Sequence, residues 1–591
     1  MDASGLDLRD TFGLLRAGSA PSVSSEELAG RISSCFASQT EKADAAWLCL
    51  TLTESIVRRL TARSLPQDAA AYYEDVTRRL FGENNLMAHL VSLLRSPDKL
   101  TSHLSAKCVS ACVILEIRQG GSSCVWRRTC ARVFEESVSG GELDSCLWSL
   151  TAVIKAVLRG DTGPNQRDVL TELLSGLDSS VSCLRTALLT PDERERPGRS
   201  KTWCEFLDLA EALIAARLRF DVRSPVQRVV FVESRALPRV VGADVEHLVK
   251  KRALLLLKRS LLRRAGEDWA SAEVRRSSDE DLGLAEDALA AAAGVLEEVA
   301  AGWLKEVPVK AQGSFFGGDC DASRTDDAVL RAVSLVLLKS LEIRVQAQPR
   351  RGSLKDVDVC WYLSALMSFL RRHGTPASPD AHGCSWVSVV FAEQDDDMME
   401  SAKALIGLYL YQKSLSCSDP GVCVRGGNPH CHFILLLRSL CFDHSVLLDF
   451  LISSETCFLE YCVRYLKLLL EDPAGFSGAC RRIGGRSDPS VPCARSAAGS
   501  RVPRLVDYGS SDESEDERVS DGGSGERDCG RELEQAQAEH ASDWLLGKVF
   551  ACLLELKTAV SRLHDRGLFP YNPASLLKLL NNIEPLRNTL C

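Results

Sequence analysis

Glu455-Thr-Cys-Phe-Leu-Glu-Tyr-Cys-Val-Arg-Tyr-Leu-Lys-Leu-Leu-Leu470 sets the reading of the whole chain. Phe458, Leu459, Cys462, Val463, Leu466 and Leu470 recur at helical spacing and draw one apolar stripe along a helix. Glu460 and Arg464 stand four apart on the other face, with the glutamate N-terminal, which is the favourable order. Ser454 supplies an N-cap.

The same period extends outward. Asn428-Pro429 reads as an N-cap with proline at the first helical position, opening helices at 429–441 and 444–452. Asn572-Pro573 repeats that signal before a helix at 574–583. Leu546, Val549, Leu553, Leu556, Val560 and Leu563 draw a core face on a helix at 536–565. Towards the N-terminus, Ser24–Glu27 fits a capping box, Thr40 caps a helix to about Arg63, and Ser96-Pro97-Asp98 opens one to about Arg118. Further helical patterns lie near 123–137, 141–159, 165–176, 179–189, 202–219, 244–264, 281–304, 326–342, 357–372 and 396–414. Val226–Glu233 and Ser385–Phe391 have strand-like β-branched content, but each stands alone and seeds no sheet. The expectation is an all-α chain, an armadillo- or HEAT-like α-solenoid of stacked helix pairs. Its units of about 40–47 residues would be too divergent to show as a sequence repeat.

Hydrophobic residues make up 45% of the 591 and charged residues 26%, the balance of a globular protein, so wholesale disorder is excluded. One segment departs from that balance. From Glu471 to about Arg531 the chain is rich in Gly, Ser, Pro, Arg and acids, and it cannot offset its ordering entropy by burial. The expected organisation is a helical body at 1–470, a disordered Arg-rich then acidic linker at 471–532, and a C-terminal helical region at 533–591. Net charge is −9, of which residues 507–528 carry −7, from nine acids and two bases. The remainder is close to neutral, so whole-chain nucleic-acid binding has no support. Ser510 and Ser514 each have a glutamate at +3, Glu513 and Glu517, the acid-directed pattern of casein kinase 2 sites. Each phosphate would add about −1.5 to −2 charges. Arg481, Arg482 and Arg486 form a candidate import or nucleic-acid patch, without interleaved aromatics for base stacking.

Uncharged stretches such as Asn84–Leu94 and Gly426–Leu437 fall short of the roughly 18 apolar residues a membrane helix needs, so no membrane insertion is expected. No apolar segment follows a basic start, so a secretory signal is not expected. The 23 cysteines form no Cys-x-x-Cys pair, and many lie in apolar stretches, among them Cys49, Cys112, Cys146 and Cys552. They read as packed thiols of a reduced protein rather than a disulfide framework. Cys417, Cys423, His430, Cys431, His432, Cys441 and His444 gather metal-type donors. Zinc ligands usually pair about two to four residues apart, and these cysteines stand farther apart, so packed thiols and surface imidazoles are expected, with no metal and no cofactor. Dinucleotide, Walker A, His-Glu-x-x-His, nucleophile-elbow and EF-hand signatures are missing, so no catalytic residues are nominated and an enzyme is not expected.

Leu254, Leu257 and Leu261 form one stripe of the helix at 244–264, with Leu255 and Leu262 on another side. A helix apolar on two sides is buried between neighbours. Its basic residues Lys250–Arg252, Lys258–Arg259 and Arg263–Arg264 then read as a solvated edge rather than an import signal.

Val249-Lys-Lys-Arg-Ala-Leu-Leu-Leu-Leu-Lys-Arg259, His444-Ser-Val-Leu-Leu-Asp-Phe-Leu-Ile-Ser-Ser-Glu-Thr-Cys-Phe-Leu-Glu-Tyr461, and the stretch Ala559–Leu580 around Gly567-Leu-Phe-Pro-Tyr-Asn-Pro573 together resemble the Lines family. The first two fall in that family's N-terminal domain and the third in its short C-terminal domain. Leu448, Phe450, Leu451, Phe458, Leu459, Tyr461, Pro570, Tyr571 and Pro573 are the structural residues of the matched motifs. The resemblance implies an armadillo-like protein without known catalysis, linked to Wnt-pathway regulation and able to occupy cytoplasm and nucleus. The expected function is a non-catalytic, monomeric scaffold that captures protein partners on a concave face. The alternative is a nuclear-transport or nucleic-acid-associated factor using the arginines of the linker.

Overall fold

The computed structural model describes residues 8–37, 43–121, 124–160, 165–189, 199–220, 235–243, 245–262, 281–309, 325–347, 357–373, 382–415, 421–453, 456–484 and 529–590. They fall into two units, Met1–Arg324 and Thr325–Cys591. Every regular element among the described residues is helical, as the periodicity predicts.

In the first unit, long helices follow one another as neighbours: Ala43–Thr61 (α1), Lys99–Arg118 (α2), Gly141–Arg159 (α3), Ser200–Phe220 (α4), His247–Leu262 (α5) and Asp281–Ala301 (α6), each packing on the next. Asp98 caps α2 by accepting from the N–H groups of Leu100 and Thr101. By length and composition α2 could cross a membrane, yet it is mostly buried and packs on both α1 and α3. Leu254, Leu257 and Leu261 of α5 are buried as their spacing predicts. Two basic residues of α5 are tied to α4: Arg252 pairs with Asp208 at 2.6 Å, and Arg259 pairs with Glu211. Between α4 and α6, Arg217 and Asp287 form a buried ion pair.

The second unit contains Asp327–Gln346 (α7), Asp395–Ser414 (α8), Pro429–Ser439 (α9), Phe458–Glu471 (α10), Pro473–Gly484 (α11), Cys529–Asp565 (α12) and Ala574–Leu590 (α13). α8 packs on α7, α9 and α10; α9 continues to α11, α11 to α12, and α12 to α13, which returns to α10. Asn428 and Asn572 cap as expected, Asn428 accepting from the N–H groups of His430 and Cys431 and Asn572 from that of Ala574. The buried arc of α10 is wider than the predicted stripe. Tyr461, Tyr465, Leu468 and Leu469 join Phe458, Cys462 and Leu466 in the core because α8 and α13 cover two sides. Leu459, Val463 and Leu470 are only partly buried. The helix begins at Phe458 after an N-cap Cys457; Ser454 lies outside the described residues.

Three expectations are corrected. Residues 386–390 form a helical turn, not a strand-like segment, because Trp386, Val387 and Val390 anchor it at helical spacing. The linker expected from 471 begins as packed helix. Phe476, Ala479, Cys480 and Ile483 of α11 recur at i, i+3, i+4 and i+7 and are buried. Glycines masked that pattern: a Cβ on Gly484 would lie 3.0 Å from the Ser542 backbone nitrogen of α12, so glycine permits the close approach. Residues 485–528, with the acidic run, lie outside the described residues. The expected single body at 1–470 is divided at 324/325, and its C-terminal part shares a core with the helices after 529. Leu553 and Leu556 of α12 are buried in that core, as the spacing predicts.

A ring of six charges crosses the α7, α8 and α10 contact. Lys339 reaches Glu342 at 2.5 Å and Glu400 at 3.3 Å; Lys403 reaches Glu400 at 3.2 Å and Glu460 at 2.7 Å. Arg464 closes it with Glu460 at 2.6 Å and Glu342 at 3.3 Å. The expected Glu460–Arg464 pair is therefore one edge of a larger network. Glu342, Glu400 and Lys403 are buried, where an ion left without its partner is costly.

Lys403→Met should lower unfolding free energy by about 3 kcal/mol, because it opens the ring and leaves buried Glu400 with Lys339 as its one opposite charge. Adding Glu400→Gln should recover part of the loss in denaturant titrations, whereas additive losses would show that the ring is uncoupled. Phe476→Ala should cost about 3–5 kcal/mol in the same measurement; a change under about 1 kcal/mol would place α11 outside the core.

Candidate metal centre

Three separated stretches meet in the second unit. His382-Gly-Cys384 enters the 3-10 turn Gly383–Ser385, which leads into the helical turn Trp386–Val390. The backbone N–H of Cys384 donates to His382 Nδ1 at 3.1 Å, so the imidazole caps this turn. Cys423 lies in a turn where the Arg425 N–H donates to Gly421 O at 3.0 Å and the Gly427 N–H to Val422 O at 2.9 Å. Cys431 lies in the first turn of α9, and its own N–H donates to Asn428 Oδ1 at 3.2 Å.

The first two stretches press together through their backbones. A Cβ on Gly383 would collide with the Cys423 carbonyl, and one on Gly426 with the Trp386 ring. Gly426 also takes φ +62°, which an L side chain rarely adopts. Its carbonyl accepts from Trp386 Nε1 at 2.9 Å and from His432 Nε2 at 2.8 Å. His432 thus carries its proton on Nε2, and burial pushes its pKa down to about 4, which keeps the ring neutral.

Four side chains converge where these stretches meet. The ligand atoms of His382, Cys384, Cys423 and Cys431 all lie within 4.8 Å of one another. Cys423 Sγ is 3.8 Å from Cys431 Sγ, and Cys431 Sγ is 3.8 Å from His382 Nε2. Cys384 and Cys431 are buried; His382 and Cys423 are half-buried. Hydrogen bonds from Cys384 and Cys431 hold the Cys423 thiol far below the ordinary range. Burial, then hydrogen bonding to Cys423 and Cys431, pushes Cys384 well above it. The guanidinium of Arg482, from α11, hydrogen-bonds Cys431 and Cys423. This is a soft, anion-favouring donor set of the kind that holds a metal ion.

Only part of this centre lies within the donors singled out from sequence. Cys423 and Cys431 belong to it, whereas His382 and Cys384 stand about forty residues upstream of Cys423 and were not singled out. The one signal was the closely spaced His382-Gly-Cys384 pair. The other imidazoles serve elsewhere. His430 and His432 are buried, contrary to the expected surface placement, because α9 is covered by α8 and α11. His430 stands 3.4 Å from Asp472 Oδ2 and 3.4 Å from the Tyr465 hydroxyl. His444 Nδ1 pairs with Glu555 at 3.1 Å. Cys441 is disulfide-bonded, which departs from the all-thiol expectation; Cys417 lies outside the described residues.

Asp472 is the hub beside the centre. It accepts from the Tyr409 hydroxyl at 2.8 Å and the Gly475 N–H at 3.2 Å, and it pairs with Lys413 at 3.2 Å. The hydrogen bond from His430, then those from Tyr409 and Lys413, hold its carboxyl far below the usual range.

The remaining candidates are placed as follows. Arg481 and Arg482 belong to α11 rather than to a loose patch, and Arg482 turns to the thiols because helix spacing sets it beside them. Arg486, Ser510 and Ser514 lie outside the described residues. Among the motif residues, Leu451, Phe458, Tyr461 and Pro573 are buried; Leu448, Phe450, Leu459 and Tyr571 are half-buried, and Pro570 is exposed. In the first unit a cleft of about 610 Å³ is lined by residues including Lys99, His103, Glu142, Asp144, Lys201 and Glu205. Burial, then the neighbouring Asp208 charge, pushes Glu205 up to about 7. His103 there stands edge-on to Trp148 at 5.2 Å.

The chain matches the family model described as Lines N-terminus over residues 149–480 and the one described as Lines C-terminus over residues 549–585. It is 31% identical to Protein Lines homolog 1 of Homo sapiens, over 92% of this chain and 87% of that protein. The Mus musculus counterpart is 31% identical, over 91% and 86%. Protein lines of Drosophila melanogaster is 22% identical over 46% of this chain and 27% of its own length. No solved structure matches the chain.

The Asp472 hub has a pH consequence. Its folded pKa is depressed below the unfolded value of about 3.9, so its stabilisation is present above that value and is lost as pH falls through the folded pKa. Asp472→Asn should therefore lower stability at pH 7 by about 2–3 kcal/mol, with the difference from wild type shrinking as the medium is acidified below about pH 4. A difference independent of pH between 7 and 3 would show that the carboxylate charge is not what the hub uses.

Proposed function

The chain belongs to the Lines family, and from that premise we propose that it is a non-catalytic regulatory protein that binds protein partners on its helical surface and modulates Wnt-type developmental signalling. The observation that carries this reading is the relationship itself, which spans 92% of the chain. Neighbour-on-neighbour helix packing supports it, because such arrays expose long runs of surface between helices. Two tryptophans suit a contact role. Trp361 is 46% exposed, and Trp544, with Lys548 lying over its ring at 5.9 Å, is 55% exposed. Tryptophan is enriched where partners bind tightly. The protein acts in the cytoplasm, the nucleus or both, and phosphorylation at Ser510 and Ser514 adjusts the charge between α11 and α12. Arg252 and Arg259 of α5 and Arg482 of α11 are engaged within the fold, which weighs against a nucleic-acid role.

Depletion in cells carrying a Wnt-responsive reporter should change reporter output, and the wild-type chain should restore it. A Trp361→Ser, Trp544→Ser double variant should restore it less well while keeping the wild-type circular dichroism spectrum. Unchanged output on depletion removes the signalling assignment, and full restoration by the double variant removes the two tryptophans from the contact surface.

A further inference from the structure

We propose that His382, Cys384, Cys423 and Cys431 bind one zinc ion in a closed, structural Cys3His site. Three thiols and an imidazole meeting at one point need a reason. Thiols are weak donors and weak acceptors, so a buried set of three gains little from mutual hydrogen bonds. Pairwise bonding would also be satisfied by a chain of contacts. A metal ion instead requires all four lone pairs to face one centre, and all four ligand atoms here lie within 4.8 Å of one another.

Two of the separations match a tetrahedral site, and all four ligand atoms lie within 4.8 Å of one another. Zn–S bonds of about 2.3 Å and a Zn–N bond of about 2.0–2.1 Å at the tetrahedral angle separate two sulfurs by about 3.8 Å and a sulfur from the nitrogen by about 3.6 Å. The Cys423–Cys431 sulfur separation is 3.8 Å, and Cys431 Sγ lies 3.8 Å from His382 Nε2. A disulfide would bring two sulfurs to about 2.05 Å. Four protein ligands leave no open position for substrate, which makes the site structural rather than catalytic.

The surroundings supply what such a site needs. Three thiolates and one zinc ion carry a net −1, and the Arg482 guanidinium hydrogen-bonds two of the three sulfurs, offsetting that charge from α11. Gly383 and Gly426 permit the backbone approach that brings the three stretches together. His382 is the ligand that must adjust. Binding through Nε2 places the proton on Nδ1, which now accepts from the Cys384 N–H, so that contact lengthens when the ion enters. The ion would join the short turn at 382–386 to α9 and to Cys423, which stands 39 positions after Cys384 in the chain, closing a long loop.

The full-length chain, purified under reducing conditions from cells grown with added zinc, should carry one zinc per chain by elemental analysis. Replacing zinc with cobalt should give the thiolate-to-cobalt charge-transfer band and intense visible bands of a tetrahedral thiolate site. Cys423→Ser and His382→Gln should each weaken zinc binding at least about tenfold, measured by competition with a chelating dye. Arg482→Met should weaken it by about tenfold without altering the cobalt geometry. Because Cys431 is in the core and its replacement could unfold the chain, the half-buried positions 382 and 423 carry the test, with circular dichroism confirming that each variant folds. Zinc well below one per chain with no cobalt thiolate band overturns the proposal. So does zinc that survives the two replacements unchanged, and so does stoichiometric iron in place of zinc.

Discussion

Helices that are apolar on more than one side persist in water only if they are covered more than once, and both units are organised around that requirement. α2 buries residues around most of its circumference, from Thr101 to Leu115, and α1 and α3 both pack on it. α7, α8 and α10 meet the same demand in the second unit, where α8 lies against both of the others. Burying one leucine-sized side chain contributes about 1.5–3 kcal/mol. Exposed ion pairs contribute about 0–1 kcal/mol each. The order of helices therefore follows from the apolar faces, and the surface pairs adjust it.

Covering a helix on several sides also traps polar groups, and the protein resolves each case locally. The six charges between α7, α8 and α10 alternate in sign around a closed ring, so every ion has two opposite partners. Arg217 and Asp287 settle as a buried pair. Asp472 collects a tyrosine, a lysine, a backbone amide and His430. The corner containing His382 and the three cysteines is different in kind. Its three thiols are weak hydrogen bonders, and with His382 they converge on a point.

Caps and stripes were legible because their information is local. Asn428-Pro429 and Asn572-Pro573 act as caps in the structure as they read in the sequence, and the Ser24 hydroxyl accepts from the Glu27 N–H at 3.1 Å. Leu254, Leu257 and Leu261 of α5, and Leu553 and Leu556 of α12, face the core as their spacing requires. α11 was misread because composition outweighed period: Gly475, Gly478 and Gly484 resemble a linker, yet Phe476 and Ile483 keep the helical spacing. The candidate centre was half legible. Cys423 and Cys431 stood among the donors considered, but their intervening length matched no paired-ligand template, and His382 and Cys384 lay far upstream.

The sequence by itself determined the helical class, most of the caps, the buried faces and membership in a family, because each rests on residues within one or two helical turns or on long matched segments. Only the tertiary structure decided that Arg482 faces thiols, that Glu460 and Arg464 join a ring with Lys339, and that His382 meets Cys431. These contacts join groups that are distant along the chain. Their separation in space is set by which helices pack together, and a pattern that repeats every few residues carries no record of that.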